Sequence, residues 1–102
     1  MLYEIRRYVC TSGKRDAVLA RFDAVVLPLF QRYEVVIDRF WLERDEADAF
    51  TYVCAWRDQA HMDDTWAAFQ ADPAWIEAKA ASEASEGQTI DRIERTLATA
   101  WR

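Results

Sequence analysis

The sequence predicts an α+β domain, a four-stranded antiparallel sheet with helices on one face. Three observations predict it. Four stretches rich in β-branched and aromatic residues punctuate the chain, at residues 2–11, 35–43, 50–57 and 88–98. Between the first and second, and between the third and fourth, apolar residues recur at helical spacing. The resulting order, β-α-β-β-α-(α)-β, is that of split β-α-β units, which close into such a sheet. The right-handed crossover rule sets the strands side by side as last, first, third and second. The 102 residues suffice for one domain, 1–102, with one core.

The first strand alternates Tyr3, Ile5, Arg7 and Val9 with Glu4, Arg6, Tyr8 and Cys10. Thr11-Ser12-Gly13 then turns the chain, with Ser12 expected to cap the helix that follows. That helix is predicted over residues 14–32, on the stripe Val18, Phe22, Val25 and Leu29. Pro28 lies inside it and predicts a kink, or an end near Val26 and a restart. In the second strand Val35, Ile37 and Trp41 are expected to alternate with Val36, Phe40 and Leu42. Arg44-Asp45-Glu46-Ala47-Asp48 forms a solvated hairpin loop before the third strand. Asp58 can cap a second helix with Met62, Trp66 and Phe69 as its buried stripe, and Asp72-Pro73 restarts a third over residues 73–85. In the last strand Ile90 is expected on one face, and Ile93 and Leu97 on the other.

Composition narrows the function. The chain is 52% hydrophobic with five Trp, which excludes disorder. Its net charge of −5, without clustered cations, argues against nucleic-acid and anionic-membrane partners. No apolar run approaches the roughly 20 residues of a membrane span. The opening residues Met1-Leu2-Tyr3-Glu4-Ile5-Arg6-Arg7 do not read as an export signal, so a cytoplasmic protein is expected. Cys10 and Cys54 lack metal-ligand spacing and read as reduced core thiols. Neither haem nor a stoichiometric metal is expected, because His61 is the only histidine.

Helices on one face leave the other uncovered, although both faces of the strands carry large apolar groups. Strands about 25 Å long at about 4.8 Å spacing present roughly 500 Å². That is near the upper end of apolar patches on monomers, so a twofold homodimer, sheet against sheet, is expected.

Several segments together resemble the NIPSNAP family of the dimeric α/β-barrel superfamily. They are Tyr3-Glu4-Ile5-Arg6-Arg7-Tyr8, Gly13-Lys14, Phe40-Trp41, Tyr52-Val53-Cys54-Ala55-Trp56-Arg57, Ala71-Asp72-Pro73-Ala74-Trp75 and Ile93-Glu94-Arg95-Thr96-Leu97. The resemblance implies a ferredoxin-like fold and a barrel-forming dimer. It implies little chemistry, since relatives in the superfamily include cofactor-independent oxygenases, haem-degrading enzymes and small isomerases.

Three groups of residues are candidates for a site. Glu4, Arg6 and Tyr8 share one face of a central strand, where charge is costly unless paired. They form either a polar cluster that orients a ligand or a buried ion pair at the dimer interface, reaching Arg39 or Arg95. His61 is either a general base or a half-exposed residue of a first helical turn, and Tyr8 is the other candidate for proton transfer. Trp41, Trp56, Trp66 and Trp75 either wall a pocket for an aromatic molecule or fill the core. Only Gly13 and Gly87 are present, so there is no Gly-rich phosphate loop, and no nucleophile motif occurs. Two functions follow as expectations. One is a homodimeric protein that binds a small apolar metabolite or a partner chain. The other is a cofactor-independent oxygenase or isomerase for an aromatic or polyketide-like substrate.

Overall fold

A computed structural model describes residues 1–102. The chain runs β1 (Leu2–Cys10), α1 (Arg15–Arg21), a π-helical turn (Phe22–Val26), α2 (Leu27–Arg32), β2 (Val36–Leu42), β3 (Ala49–Trp56), α3 (Gln59–Ala71), α4 (Pro73–Glu86) and β4 (Ile90–Ala98). The strands form one antiparallel sheet in the order β2-β3-β1-β4, the order the crossover rule predicts. The molecule is only 18 Å across its thinnest axis, the depth of one sheet and one layer of helices. This is the ferredoxin-like α+β fold.

Register divides the strands between two faces. Glu4, Arg6 and Tyr8 lie opposite Cys54, Tyr52 and Phe50, and these face the helices. The core joins Phe50, Tyr52, Cys54 and Trp56 to Phe22, Phe30, Met62 and Phe69 of the helical layer. Phe22 meets Phe30, Phe40, Phe50 and Tyr52 edge-on, at centroid distances of 5.3–6.2 Å, the preferred geometry for aromatic pairs. Tyr3, Ile5, Arg7 and Val9 point to the open face with Ala49, Thr51, Val53 and Ala55.

Two bulges change the faces expected from strict alternation. Asp38 is the extra residue where β2 shifts between Ile37 and Arg39. Ile37 therefore shares the covered face with Phe40 and Leu42, while Val36, Arg39 and Trp41 lie on the open one. A second shift, at Val9/Cys10, leaves Asp91 unpaired. Ile90 thus returns to the same face as Ile93 and Leu97, rather than the opposite face.

The long helix resolves the Pro28 conflict by changing its hydrogen-bond register. The Leu27 N–H bonds back to the Phe22 carbonyl, five residues away, and α-helix resumes with Pro28 in its first turn. Proline has no N–H to give the preceding turn, and the widened turn is how the continuous helix takes it in. Ser12 does not cap this helix. Lys14 occupies the N-cap, so Ser12 lies two residues too early for its hydroxyl to reach the first-turn amides. Gly13, at φ +78°, turns the backbone so that its N–H meets Asp48 Oδ1 at 2.9 Å. The other caps form as predicted: Asp58 accepts from the His61 N–H and Asp72 from the Ala74 N–H, both at 2.8 Å.

Candidate functional site

The covered face carries an unusual burial. Glu4 is fully buried, and its carboxylate meets four donors from four elements. Oε2 accepts from Arg6 Nη1 at 3.0 Å and lies 2.8 Å from Arg95 Nε. Oε1 accepts the indole N–H groups of Trp56, at 3.0 Å, and Trp66, at 2.8 Å. Such saturation is the condition under which a charge can be held in a core. It also joins β1, β3, α3 and β4 through one side chain. Burial, with the charge of Glu4 added, pushes the adjacent Cys54 thiol up to about 12 and keeps it unreactive.

Arg6 continues the network away from Glu4. Its Nε donates to the Tyr52 hydroxyl and its Nη2 to the Tyr8 hydroxyl, each at 3.0 Å, and the two hydroxyls lie 3.2 Å apart. The guanidinium also stacks 4.7 Å from the Trp66 ring. Desolvation holds the Tyr52 phenol well above its ordinary value, so it is neutral at physiological pH.

Above this network, between helices and sheet, lies a cavity of about 630 Å³. Arg6, Tyr8 and Tyr52 form its polar floor; Phe22, Trp66, Trp75 and Ile93 supply apolar walls. Arg21 and Lys79 add positive charge, and Glu83 is the only carboxylate in the lining. The π-turn contributes two wall residues, Phe22 and Val26.

Of the residues singled out from sequence, Arg6, Tyr8, Trp66 and Trp75 line this cavity. Glu4 and Trp56 stand behind it: Glu4 accepts from Arg6 and Trp66, and Trp56 donates to Glu4. The Glu4–Arg6 pair faces the helices of its own chain, not the open face where a subunit interface was expected. It reaches Arg95, whereas Arg39 lies on the opposite face. Trp41 also lies on the open face, half exposed. His61 is outside the cavity: its Nδ1 accepts the Arg57 N–H at 3.1 Å, and its ring meets Trp56 edge-on. No group of three or more His, Cys, Asp or Glu residues is placed to hold a metal ion. No helix is long and apolar enough to cross a membrane.

Sequence reasoning missed Tyr52 and Arg21. Tyr52 reads as one more core aromatic until register sets it opposite Arg6. Arg21 lies next to Phe22 of the buried stripe, and its Nε is buried without a hydrogen-bond partner.

No curated protein matches the chain. Solved structures do. A NIPSNAP family protein of unknown function from Agrobacterium tumefaciens is 17% identical at a TM-score of 0.84, covering 98% of this chain and 87% of that one. An uncharacterized NIPSNAP domain protein from Burkholderia xenovorans is 20% identical at 0.81, covering 98% and 94%. An antibiotic biosynthesis monooxygenase shares the fold at 0.69, with 16% identity and full coverage of both chains. The NIPSNAP family pattern itself matches residues 3–102, and the chain belongs to the NIPSNAP family.

Proposed function

We propose that this protein is a homodimer that binds one small, largely apolar molecule per chain, in the cavity between its helices and its sheet. The cavity carries the proposal. Its volume of about 630 Å³ falls within the range of small-molecule sites, and its lining combines apolar walls with a few convergent polar groups. The homodimer rests on the open face, where Tyr3, Ile5 and Val9 are only half-buried and Trp41 and Val36 are exposed.

The test is fluorescence titration with N-phenyl-1-naphthylamine, an uncharged probe of apolar sites. One probe per chain should bind. Ile93→Trp, which fills the cavity from β4, should weaken binding by about tenfold or more. A wild type that binds no probe, or an Ile93→Trp variant that binds it equally well, would remove the proposal.

A cofactor-independent oxygenase or isomerase is the second reading, favoured by the Tyr8 hydroxyl on the cavity floor and by the fold shared with the monooxygenase. It is the weaker one. Tyr8 is held by Arg6 and Tyr52, and no histidine lines the cavity to serve as its base.

A further inference from the structure

The cavity is cationic inside a protein whose net charge is −5. Arg6, Arg21 and Lys79 line it against one carboxylate, Glu83. Glu4 does not redress the balance, because Arg6 and Arg95 share it. Arg21 and Lys79 make no ion pair; Arg21 has only the Ser82 hydroxyl, 3.0 Å from Nη1, as a hydrogen-bond partner. Lys79 is exposed at the cavity mouth and solvated, whereas Arg21 is partly buried and its Nε has no hydrogen-bond partner.

The floor also holds donors in surplus. Arg6 has five N–H groups, and its three side-chain bonds use one each, leaving two. The Tyr8 and Tyr52 oxygens both accept from Arg6 and share one further hydrogen bond. One of their two hydroxyl protons is spent between them, and the other has no acceptor in the protein. Donors without acceptors, beside uncompensated positive charge and flat aromatic walls, define what is missing: an anionic acceptor on a planar apolar body.

Resting on the cavity reading above, we infer that the ligand is an aromatic acid. Its carboxylate sits on Arg6 and the Tyr8–Tyr52 hydroxyl pair, and its rings lie along Phe22, Trp66 and Trp75. Arg21 stacks 5.6 Å from the Trp75 ring and supplies a second cation along the wall.

The test is calorimetric titration of the full chain at pH 7 with 2-naphthoate and with its uncharged isostere 2-naphthamide. Naphthoate should bind about tenfold or more tightly than naphthamide, as expected for a charge-assisted hydrogen bond. Arg6→Met leaves Glu4 paired with Arg95 and should erase most of that preference, because it weakens naphthoate far more than naphthamide. Arg21→Met, outside the Glu4 network, should reduce the preference too and keeps the test valid if Arg6→Met does not fold. Equal or tighter binding of naphthamide would overturn the inference and leave the apolar-cavity reading standing. A preference that survives both substitutions would also overturn it, assigning the attraction to the surface. Binding of neither probe would remove both readings.

Discussion

Arg6 and Arg7 are neighbours on β1 that point to opposite faces of the sheet, and each is met by glutamates. Arg6 shares the fully buried Glu4 with Arg95 beneath the helices. Arg7 grips Glu43 with two hydrogen bonds, at 2.6 and 3.0 Å, and reaches Glu94 at 3.2 Å on the open face. The Arg7 geometry is the better of the two, yet its side chain is 31% exposed and Glu43 is 27% exposed. Water already solvates that pair, so the pairing adds little. On the covered face the alternative to pairing is a bare charge in a dry core. Energetic weight therefore follows desolvation rather than hydrogen-bond length.

The largest expected effect breaks the covered side. Glu4→Ala removes the acceptor shared by two guanidinium groups and two indoles. It should cost roughly 3–5 kcal/mol and lower the melting temperature by about 12 °C or more. Glu4→Gln should recover only part of this, because its amide nitrogen would meet a donor wherever it points. Arg6→Ala is milder, at about 1–3 kcal/mol, since Arg95 and both indoles still hold Glu4. A thermal melt in which Glu4→Ala is no worse than Arg6→Ala would refute the four-donor account.

On the open side, the expected effect is on association rather than folding. Ile5→Lys places a charge in the middle of the uncovered face. If that face pairs with a second copy, light scattering should change from a dimer to a monomer of 11.9 kDa while the isolated fold persists. A wild type that is already monomeric at micromolar concentration would contradict the dimer.

The same contrast explains what was legible in the sequence. Strand order and both Asp caps follow from local chemistry and topology and appear in the structure, as does the stripe through Val18, Phe22 and Leu29, except that Val26 is buried where Val25 was expected. The faces of β2 and β4 did not follow. A single extra residue, Asp38 or Asp91, reverses the alternation, and nothing in either strand's composition marks it. Of the candidate site, the shared face of Glu4, Arg6 and Tyr8 was readable from period two. The cavity and Tyr52's place in it required cross-strand register, and Arg21's required the packing of helix on sheet.

Smaller effects sharpen the Arg7 side. Hydrogen bonds from Arg7 hold the Glu43 carboxyl below the usual carboxylate range, against its partial burial and with help from the Thr51 hydroxyl. A carboxyl lowered on folding adds stability above its unfolded pKa, about 4.3. That stability is lost as pH falls through the folded value. Glu43→Gln should therefore flatten the acid limb of the stability curve below about pH 5. At pH 7 it should shift the melting temperature by no more than about 5 °C. Melts between about pH 3 and 7 would measure both, and an unchanged acid limb would show that the pair contributes nothing.

The smallest effect lies in the turn that delivers the chain from α2 to β2. There the Val35 N–H bonds to the Phe30 carbonyl at 2.8 Å and the Glu34 N–H to Gln31 at 3.2 Å, the paired bonds of a Schellman cap. Such a cap needs a left-handed residue, and Glu34 supplies it at φ +56°, the one non-glycine residue of the chain with positive φ. A side chain in that region costs about 1–2 kcal/mol. Glu34 is exposed and forms no side-chain bond that would offset this. Glu34→Gly removes the strain but adds about 0.5–1 kcal/mol of unfolded-chain entropy. The net should be a gain of a few tenths to about 1 kcal/mol, seen as a small rise in denaturant midpoint with an unchanged slope. Because Glu34 touches neither arginine network, the gain should add to the loss in Glu4→Ala without coupling. A Glu34→Gly chain less stable than wild type would mean that the left-handed turn carries no strain.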